Sequence, residues 1–434
     1  MPAMPESTPI VPDNYVRTGL SILHILFAGC HPGNFAVRLW DGTVYQPEAG
    51  QKPVFMLVIN RPGALRRMFW RISDLALGES YIYGDFDVEG DFESAFAIED
   101  HLVGLRLGVT DRLFCARQMM KLPSDDRPPA CRRADCLSGA PHSLRRDREA
   151  VRYHYDVSND FFALWLDRRM VYSSAYFAEP GEELEAAQER KLDYICRKLR
   201  LRRGERLLDI GCGWGGLIIY AAKTRGVEAV GITLSRPQAE WADTRIREEG
   251  LTDRCRVEVR DYREIDAPGH FDKIASVGMF EHVGENQMME YFGRAWRLLR
   301  PGGVFLNHGI ARNAGLPIRP GPYFSDRYVF PDGDLIPVST MLRVAESCGL
   351  ELRDVESLRE HYHLTLRHWV RRLEARYEEA KRATDEVTCR VWRLYLNAAA
   401  YRFRMGAYNV YQSLLVKPDE GRSGLPLSRA DWYM

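Results

Sequence analysis

Few stretches of this chain leave as little conformational freedom as Leu207-Leu208-Asp209-Ile210-Gly211-Cys212-Gly213-Trp214-Gly215-Gly216. An apolar strand ends on an acidic residue, opens onto glycines and runs into a helix-like stretch, Leu217 to Lys223. Glycine reaches backbone dihedrals closed to other residues and lets a ligand approach the main chain. The helix N-terminus behind the loop favours partial negative charge, such as a carboxylate or ribose oxygens. A strand, a glycine loop and a helix in this order predict the nucleotide-binding end of an α/β sheet.

Two nucleotide readings compete for this loop. Gly211, Gly213 and Gly216 satisfy the G-x-G-x-x-G spacing of dinucleotide sites, which also need an acidic residue about 20 positions on for the ribose. The next strand, Glu228 to Thr233, runs out through Leu234-Ser235 and offers no acidic tip. Asp209, two residues before the first glycine, instead gives D-x-G-x-G, the loop of S-adenosylmethionine-dependent methyltransferases. The loop is therefore read as a methyl-donor site.

Composition narrows the partners. At 434 residues the chain can build two domains. Lys plus Arg equals Asp plus Glu at 60 each, which gives no support for nucleic-acid binding. Nine scattered cysteines suit reduced thiols in the cytoplasm. Cys131 and Cys136 have no second pair at zinc spacing, so no metal is expected. No stretch reaches the roughly 18 apolar residues of a membrane span. Leu20 to Gly29 is short, is interrupted by His24 and lacks a basic leader, so it is not read as a signal peptide. Membrane contact is expected to be peripheral.

Residues 1–122 read as an N-terminal accessory unit. Phe35–Leu39 and Thr43–Gln46 flank an Asp41-Gly42 turn, Pro53–Ile59 is a further strand, and Ala64–Arg71 a helix. Eight acidic and no basic residues between Glu79 and Asp100 read as a solvated surface, because Phe96 stands where a calcium loop needs a glutamate. Residues 123–148 read as a linker. Residues 149–434 alternate helix and strand: helix 183–199, strand 206–210, strand 228–233, helix 236–249, strand 255–260, strand 272–277, helix 286–299, strand 303–308, an insertion 311–337, helix 339–347, strand 351–357, a helical stretch 361–396 and strand 410–417. This alternation predicts a parallel sheet with ligands beyond the strand carboxyl ends.

Three loops should surround the donor. Asp209, Gly211 and Gly213 form the first, with Asp209 orienting the loop or reaching the amino-acid moiety. Thr233, Leu234 and Gln238 form the second. Arg260, Asp261 and Tyr262 form the third, where Asp261 could take the adenine amino group and Tyr262 cover the ring, with an ordinary turn after a strand an equal reading of the motif. Glu281, in Phe280-Glu281-His282-Val283-Gly284, follows strand 272–277, and His308 ends the next strand, which puts two titratable groups at adjacent strand ends. Basic runs at Arg127–Arg148 and Arg197–Arg206 read as solvated surface in preference to a lipid-docking face.

Larger motifs carry a resemblance. Tyr153-His154-Tyr155-Asp156-Val157-Ser158-Asn159-Asp160-Phe161-Phe162, Tyr172-Ser173-Ser174-Ala175-Tyr176-Phe177, Gly211–Gly216, Ser276–Gly284, His308–Ile310 and Tyr328-Val329-Phe330-Pro331-Asp332-Gly333 occur in order. On these the chain resembles the cyclopropane-fatty-acyl-phospholipid synthase family over residues 150–417, and the N-terminal unit looks like an accessory domain seen in many members. The resemblance implies a class I methyltransferase (Rossmann-like) doubly wound α/β sheet with helical insertions, preceded by a smaller α+β domain for lipid binding or dimerisation. It implies S-adenosylmethionine and a buried bicarbonate, held by Glu281, His308, Tyr362 and the backbone of Cys212 and Ile310, with Tyr172 and Ser173 touching the donor. Ala399 departs from the pattern, standing where many members carry a cysteine.

What the resemblance implies chemically is methyl transfer to a cis double bond of an unsaturated phospholipid acyl chain, giving a cyclopropane. The enzyme would be cytoplasmic, docked on the inner membrane face, alone or as a homodimer. An apolar channel walled by the insertion and the helical stretch would exclude water; Phe161, Phe162, Tyr176, Phe177 and Phe280 could steady a carbocation, though each taken alone reads as core in preference. Two alternatives remain open: the same transfer ending in a methylene- or methyl-branched chain, and an inactive lipid-binding protein on the same fold.

Overall fold

The computed structural model describes residues 14–30, 34–48, 50–124, 139, 142–155, 157–316 and 323–433. It falls into two compact units, Met1–Cys131 with Pro320–Phe324, and Arg132–Arg319 with Ser325–Met434. Cys131, Cys136 and most of the 123–148 stretch lie outside the described residues, as does Asp156.

The first unit holds helices α1 (Asn14–Leu26), α2 (Pro62–Trp70), α3 (Asp74–Ile82), α4 (Phe92–Gly104) and α5 (Val109–Met119) around a sheet of β1 (Phe35–Arg38), β2 (Val44–Tyr45), β3 (Phe55–Ile59) and β4 (Phe86–Gly90). Strand order is β2-β1-β3-β4. The Asp41-Gly42 turn joins β1 to an antiparallel β2, and the Asp41 carboxylate accepts the Thr43 amide at 2.9 Å. Alternate residues Phe55, Leu57 and Ile59 of β3 face the core, as a half-buried strand requires. The acidic stretch is not simply solvated surface. Asp85 is fully buried, accepting from Arg61 Nη2 at 2.7 Å and Arg67 Nε at 2.8 Å, and Glu93 is buried as well. A carboxylate can leave water here because fixed guanidinium donors replace its hydration.

The second unit carries the chemistry. Its helices are α6 (Leu144–Tyr155), α7 (Asn159–Ala163), α8 (Leu184–Lys198), α9 (Gly216–Arg225), α10 (Arg236–Glu248), α11 (Met288–Leu298), α12 (Phe324–Tyr328), α13 (Val338–Ser347), α14 (Arg359–Ala375), α15 (Tyr377–Ala383) and α16 (Glu386–Arg404). Its strands are β5 (Arg206–Ile210), β6 (Glu228–Thr233), β7 (Cys255–Val259), β8 (Phe271–Val277), β9 (Leu299–Arg312), β10 (Glu351–Ser357) and β11 (Tyr408–Val416). They form one sheet in the order β10-β11-β9-β8-β5-β6-β7.

The sheet is mixed, not parallel throughout: β11 runs antiparallel to both β9 and β10. The cause is the stretch predicted as one helical run, 361–396, which is three helices. α14 and α16 pack together as a return pair, so the chain re-enters the sheet where β10 left it, and the Leu358 amide donates to the Val410 carbonyl at 2.8 Å. Pairing with β11 also extends β9 to Arg312, opposite Tyr408. His308 therefore sits inside a strand and not at its end, and the insertion begins after Arg312.

Side chains alternate across β5. Leu207 shares a core with Ile195 and Ile218 on one face, while Leu208 and Ile210 share another with Phe292 and Phe305. A third, aromatic-rich core (Phe161, Phe162, Trp165, Trp369, Trp392) gathers α7, α14 and α16.

Candidate functional site

Beyond the carboxyl end of β5 a cavity opens. All ten residues predicted for the donor line it: Tyr172, Ser173, Asp209, Gly211, Gly213, Thr233, Leu234, Gln238, Asp261 and Tyr262. Cys212 lines it too, together with Lys191, Met279, His282 and Trp214. The loop needs its glycines for two reasons. Gly211 has φ +81°, and a Cβ there would sit 2.8 Å from the Met279 side chain. Gly231, beneath the loop in β6, would drive a Cβ to 2.7 Å from both Cys212 and Ile218. Backbone and ligand space therefore share one constraint.

The second loop is held by its own side chains. Thr233 Oγ1 donates to Gln238 Oε1 at 2.8 Å, and Ser235 caps α10 by accepting the Gln238 amide. The third is held by Arg263, which donates to Asp261 through Nε at 2.9 Å and Nη2 at 2.7 Å, and to Asp147 of α6 at 2.8 Å. Tyr262 is buried edge-on against Tyr291. Asp209 is buried and its Oδ1 has no hydrogen-bond partner. Burial pushes its carboxyl up to about 7 against the opposing pull of Lys191.

Glu281, His308, Ile310 and Tyr362 do not line the donor cavity. Glu281 follows β8, and its Oε1 accepts the Ile310 amide at 2.6 Å, which ties it to β9. Its Oε2 is buried and unpartnered, and burial raises the carboxyl to about 7 against the pull of that amide. His308 faces Gln412 of β11, whose Nε2 donates to Nδ1 at 3.2 Å. The imidazole proton is thereby left on Nε2, which is buried and also unpartnered. Desolvation keeps this ring neutral, well below the usual histidine range, with Lys191 and Lys198 acting in the same direction. Tyr362 is linked to the donor side through rings: Tyr172 lies 5.2 Å from Trp369, and Trp369 5.9 Å from Tyr362.

Two orphaned polar atoms, Glu281 Oε2 and His308 Nε2, are the kind of buried site a small polar ion would satisfy. The amides of Cys212 and Ile310 are committed elsewhere, Cys212 to the Ile232 carbonyl at 2.9 Å and Ile310 to Glu281. A shell for a bound anion thus rests on side chains more than on those two amides. Among the described residues no group of histidine, cysteine and carboxylate could hold a metal ion, and the described cysteines are free.

The five rings predicted to steady a cation do not line the donor cavity. Phe161 and Phe162 are core residues beside Trp165 and Trp392, Tyr176 stacks on His361, Phe177 on His368, and Phe280 belongs to the core under α11. Phe280 also lies close over Gly309, where a Cβ would come within 3.0 Å of it. Described members of the two basic runs are mostly paired: Arg146 with Asp332, Arg148 with Glu264, Arg197 with Asp193, Arg200 with Asp431, and Lys198 with Asp354 and Glu356. No described helix is long and apolar enough to cross a membrane. Residues that sequence reasoning missed include Lys191 and Gln412. Gln412 was readable as a polar residue inside an apolar strand, whereas Lys191, on the α8 stripe of Leu184, Ala187, Gln188 and Ile195, gains its meaning only from the cavity beside it.

Residues 142–413 match the family described as mycolic acid cyclopropane synthetase, and residues 22–99 a family described as a domain of unknown function. The "Probable fatty acid methyltransferase" of Pseudomonas putida is 40% identical over 401 residues, 92% of this chain and 95% of its own. The cyclopropane-fatty-acyl-phospholipid synthase of Escherichia coli is 38% identical over 277 residues, 64% of this chain and 69% of its own. The solved mycolic acid cyclopropane synthase CmaA1, complexed with SAH and CTAB, superposes with a TM-score of 0.59 at 33% identity, covering 62% of this chain and 97% of that one.

Proposed function

The chain belongs to the mycolic acid cyclopropane synthetase family of S-adenosylmethionine-dependent methyltransferases, and from that premise we propose that it adds the donor's methyl carbon to a cis double bond of an unsaturated phospholipid acyl chain and closes a cyclopropane ring. One observation carries the reading. Beside the cavity at the end of β5, a carboxyl in the turn after β8 (Glu281) and an imidazole on the neighbouring β9 (His308) each keep a buried polar atom without a partner.

An isolated alkene is a weak nucleophile, so most of the acceleration must come from holding it in line with the sulfonium methyl. Tyr172 and Trp214, which line the cavity, fix the donor's reactive end on the side of the aromatic core. Methyl transfer leaves a carbocation on the acyl chain. Water would capture it, and the buried aromatic surroundings keep water away. A base must then take a proton from the transferred methyl group so that the ring can close.

Glu281 and His308 fit a bicarbonate ion. Nε2–H of the neutral imidazole donates, and a protonated Glu281 donates from Oε2, so the pair offers donors to an anion without stacking a second full charge beside it. When bound, bicarbonate supplies the proton acceptor for this step. The Tyr362 hydroxyl completes the set. The enzyme works in the cytoplasm at the inner membrane face, where such acyl chains are found, as a monomer or a homodimer.

A second reading shares the first step and ends in a methylene- or methyl-branched chain. It is supported by the Pseudomonas putida relative's description as a fatty acid methyltransferase and by Ala399, a buried small residue in the aromatic core. Ring and methylene products have equal mass but fragment differently. Tandem mass spectrometry of lipids from expressing cells therefore tests the proposal: ring-specific fragments support it, and branched-chain fragments alone replace it with the second reading.

A further inference from the structure

We propose that Lys191 is the carboxylate anchor of the methyl donor, forming with Asp209 a pair of opposite charges that grips the donor's zwitterionic amino-acid end. The inference rests on the donor reading above and goes beyond it, because α8 carries no residue of the glycine loop or of the two loops beside it.

Lys191 lies on the inner face of α8 and is 1% exposed, yet it lines the donor cavity. Its Nζ donates to Ser173 Oγ at 2.9 Å. Ser173 is itself pinned from behind, since its carbonyl accepts from Gln188 Nε2 at 2.9 Å. A lysine so buried is held away from solvent, and its ammonium, with one donor used on Ser173, has further donors for a ligand in the cavity it lines.

The titratable groups that interact electrostatically with Lys191 come from three elements: Asp209 at the end of β5, Asp167 in the loop after α7, and the neutral His308 on β9. Asp167 already accepts two backbone amides, from Arg169 at 3.0 Å and Val171 at 2.8 Å. Asp209 Oδ1 accepts nothing. So the cavity presents one buried cation and one buried carboxyl with an unpartnered oxygen. A free α-amino acid group carries the complementary pair, a carboxylate for Lys191 and an ammonium for Asp209. The other cationic side chains lining the cavity, Arg260 and Arg263, belong to the Asp261-Tyr262 loop and lie at the adenine end. Burial lowers the Lys191 ammonium to about 8, and a bound carboxylate would restore its charge.

The test uses isothermal titration calorimetry with the full-length protein and three probes: S-adenosylhomocysteine, its decarboxylated form, and 5′-methylthioadenosine, which lacks the whole amino-acid end. Lys191→Met, which fills the slot without charge, should weaken S-adenosylhomocysteine at least about tenfold while changing the other two less than about twofold. Retained 5′-methylthioadenosine binding reports that the variant is folded. Ser173→Ala, which frees the ammonium but keeps its charge, should lose less than Lys191→Met and show the same dependence on the ligand carboxylate. Equal losses on all three probes, or none, would overturn the assignment. Failure of the unmodified protein to bind any of the three would instead overturn the donor reading on which it rests.

Discussion

Replacing Glu281 by glutamine separates what this carboxyl does for the fold from what it does for the chemistry. The amide keeps the size and an acceptor for the Ile310 amide, now 2.6 Å from Oε1. It loses the proton that burial shifts from 4.5 to about 7. A carboxyl raised in this way lets the folded state keep its full stability below about pH 4.5 and costs it stability as pH rises through about 7. At about 1.36 kcal/mol per pH unit, the cost above both values is about 3 kcal/mol. Glu281→Gln should therefore melt like the parent near pH 4.5 and several degrees above it near pH 8, the gap widening monotonically between the two. Over the same range turnover should fall by about 10²–10⁴, because Glu281 helps hold the proton acceptor and a positioned proton-transfer group is usually worth that much. Thermal melts by circular dichroism and transfer of labelled methyl carbon read the two effects. A melting difference independent of pH would refute the burial argument, and parental turnover would remove Glu281 from the reaction.

Three further outcomes follow from the geometry. Asp209→Asn should weaken donor binding by about tenfold or more by calorimetry. In the parent, affinity should fall as pH drops through about 7, because the raised carboxyl then takes up a proton and loses its attraction for the donor's ammonium. Gly231→Ala should destabilise the second unit by about 1–3 kcal/mol in denaturant titrations, since its Cβ meets Cys212 and Ile218 at 2.7 Å. Asp85→Ala should destabilise the first unit by about 3 kcal/mol, because it leaves Arg61 and Arg67 without their shared buried acceptor.

The donor half of the site was legible because a nucleotide loop is a local device. Asp209, the glycines, Thr233 and Asp261 all lie at or just beyond the carboxyl ends of parallel strands, which converge whatever the rest of the chain does. The bounds of β5, β6 and β10 were readable from apolar runs closed by polar or glycine breaks. What escaped depends on partners distant in sequence. β11 pairs antiparallel because two helices turn the chain back, and nothing in Tyr408–Val416 records that direction. The same pairing placed His308 inside β9, opposite Gln412, and gave the ring its tautomer. Asp85 looked like surface because its neutralising arginines lie 24 and 18 residues away in sequence. Lys191 hid in a helix whose charge pattern suggests an exposed face. A cation on an apolar stripe is a signal only once the cavity beside it is known.

The account stands most directly on the fate of one carbon. Purified protein incubated with methyl-labelled S-adenosylmethionine and vesicles of a cis-unsaturated phospholipid should move the label into the acyl chain, and fully saturated vesicles should take up none. Label recovered in the headgroup, or donor bound with no label in the lipid under either condition, would contradict it.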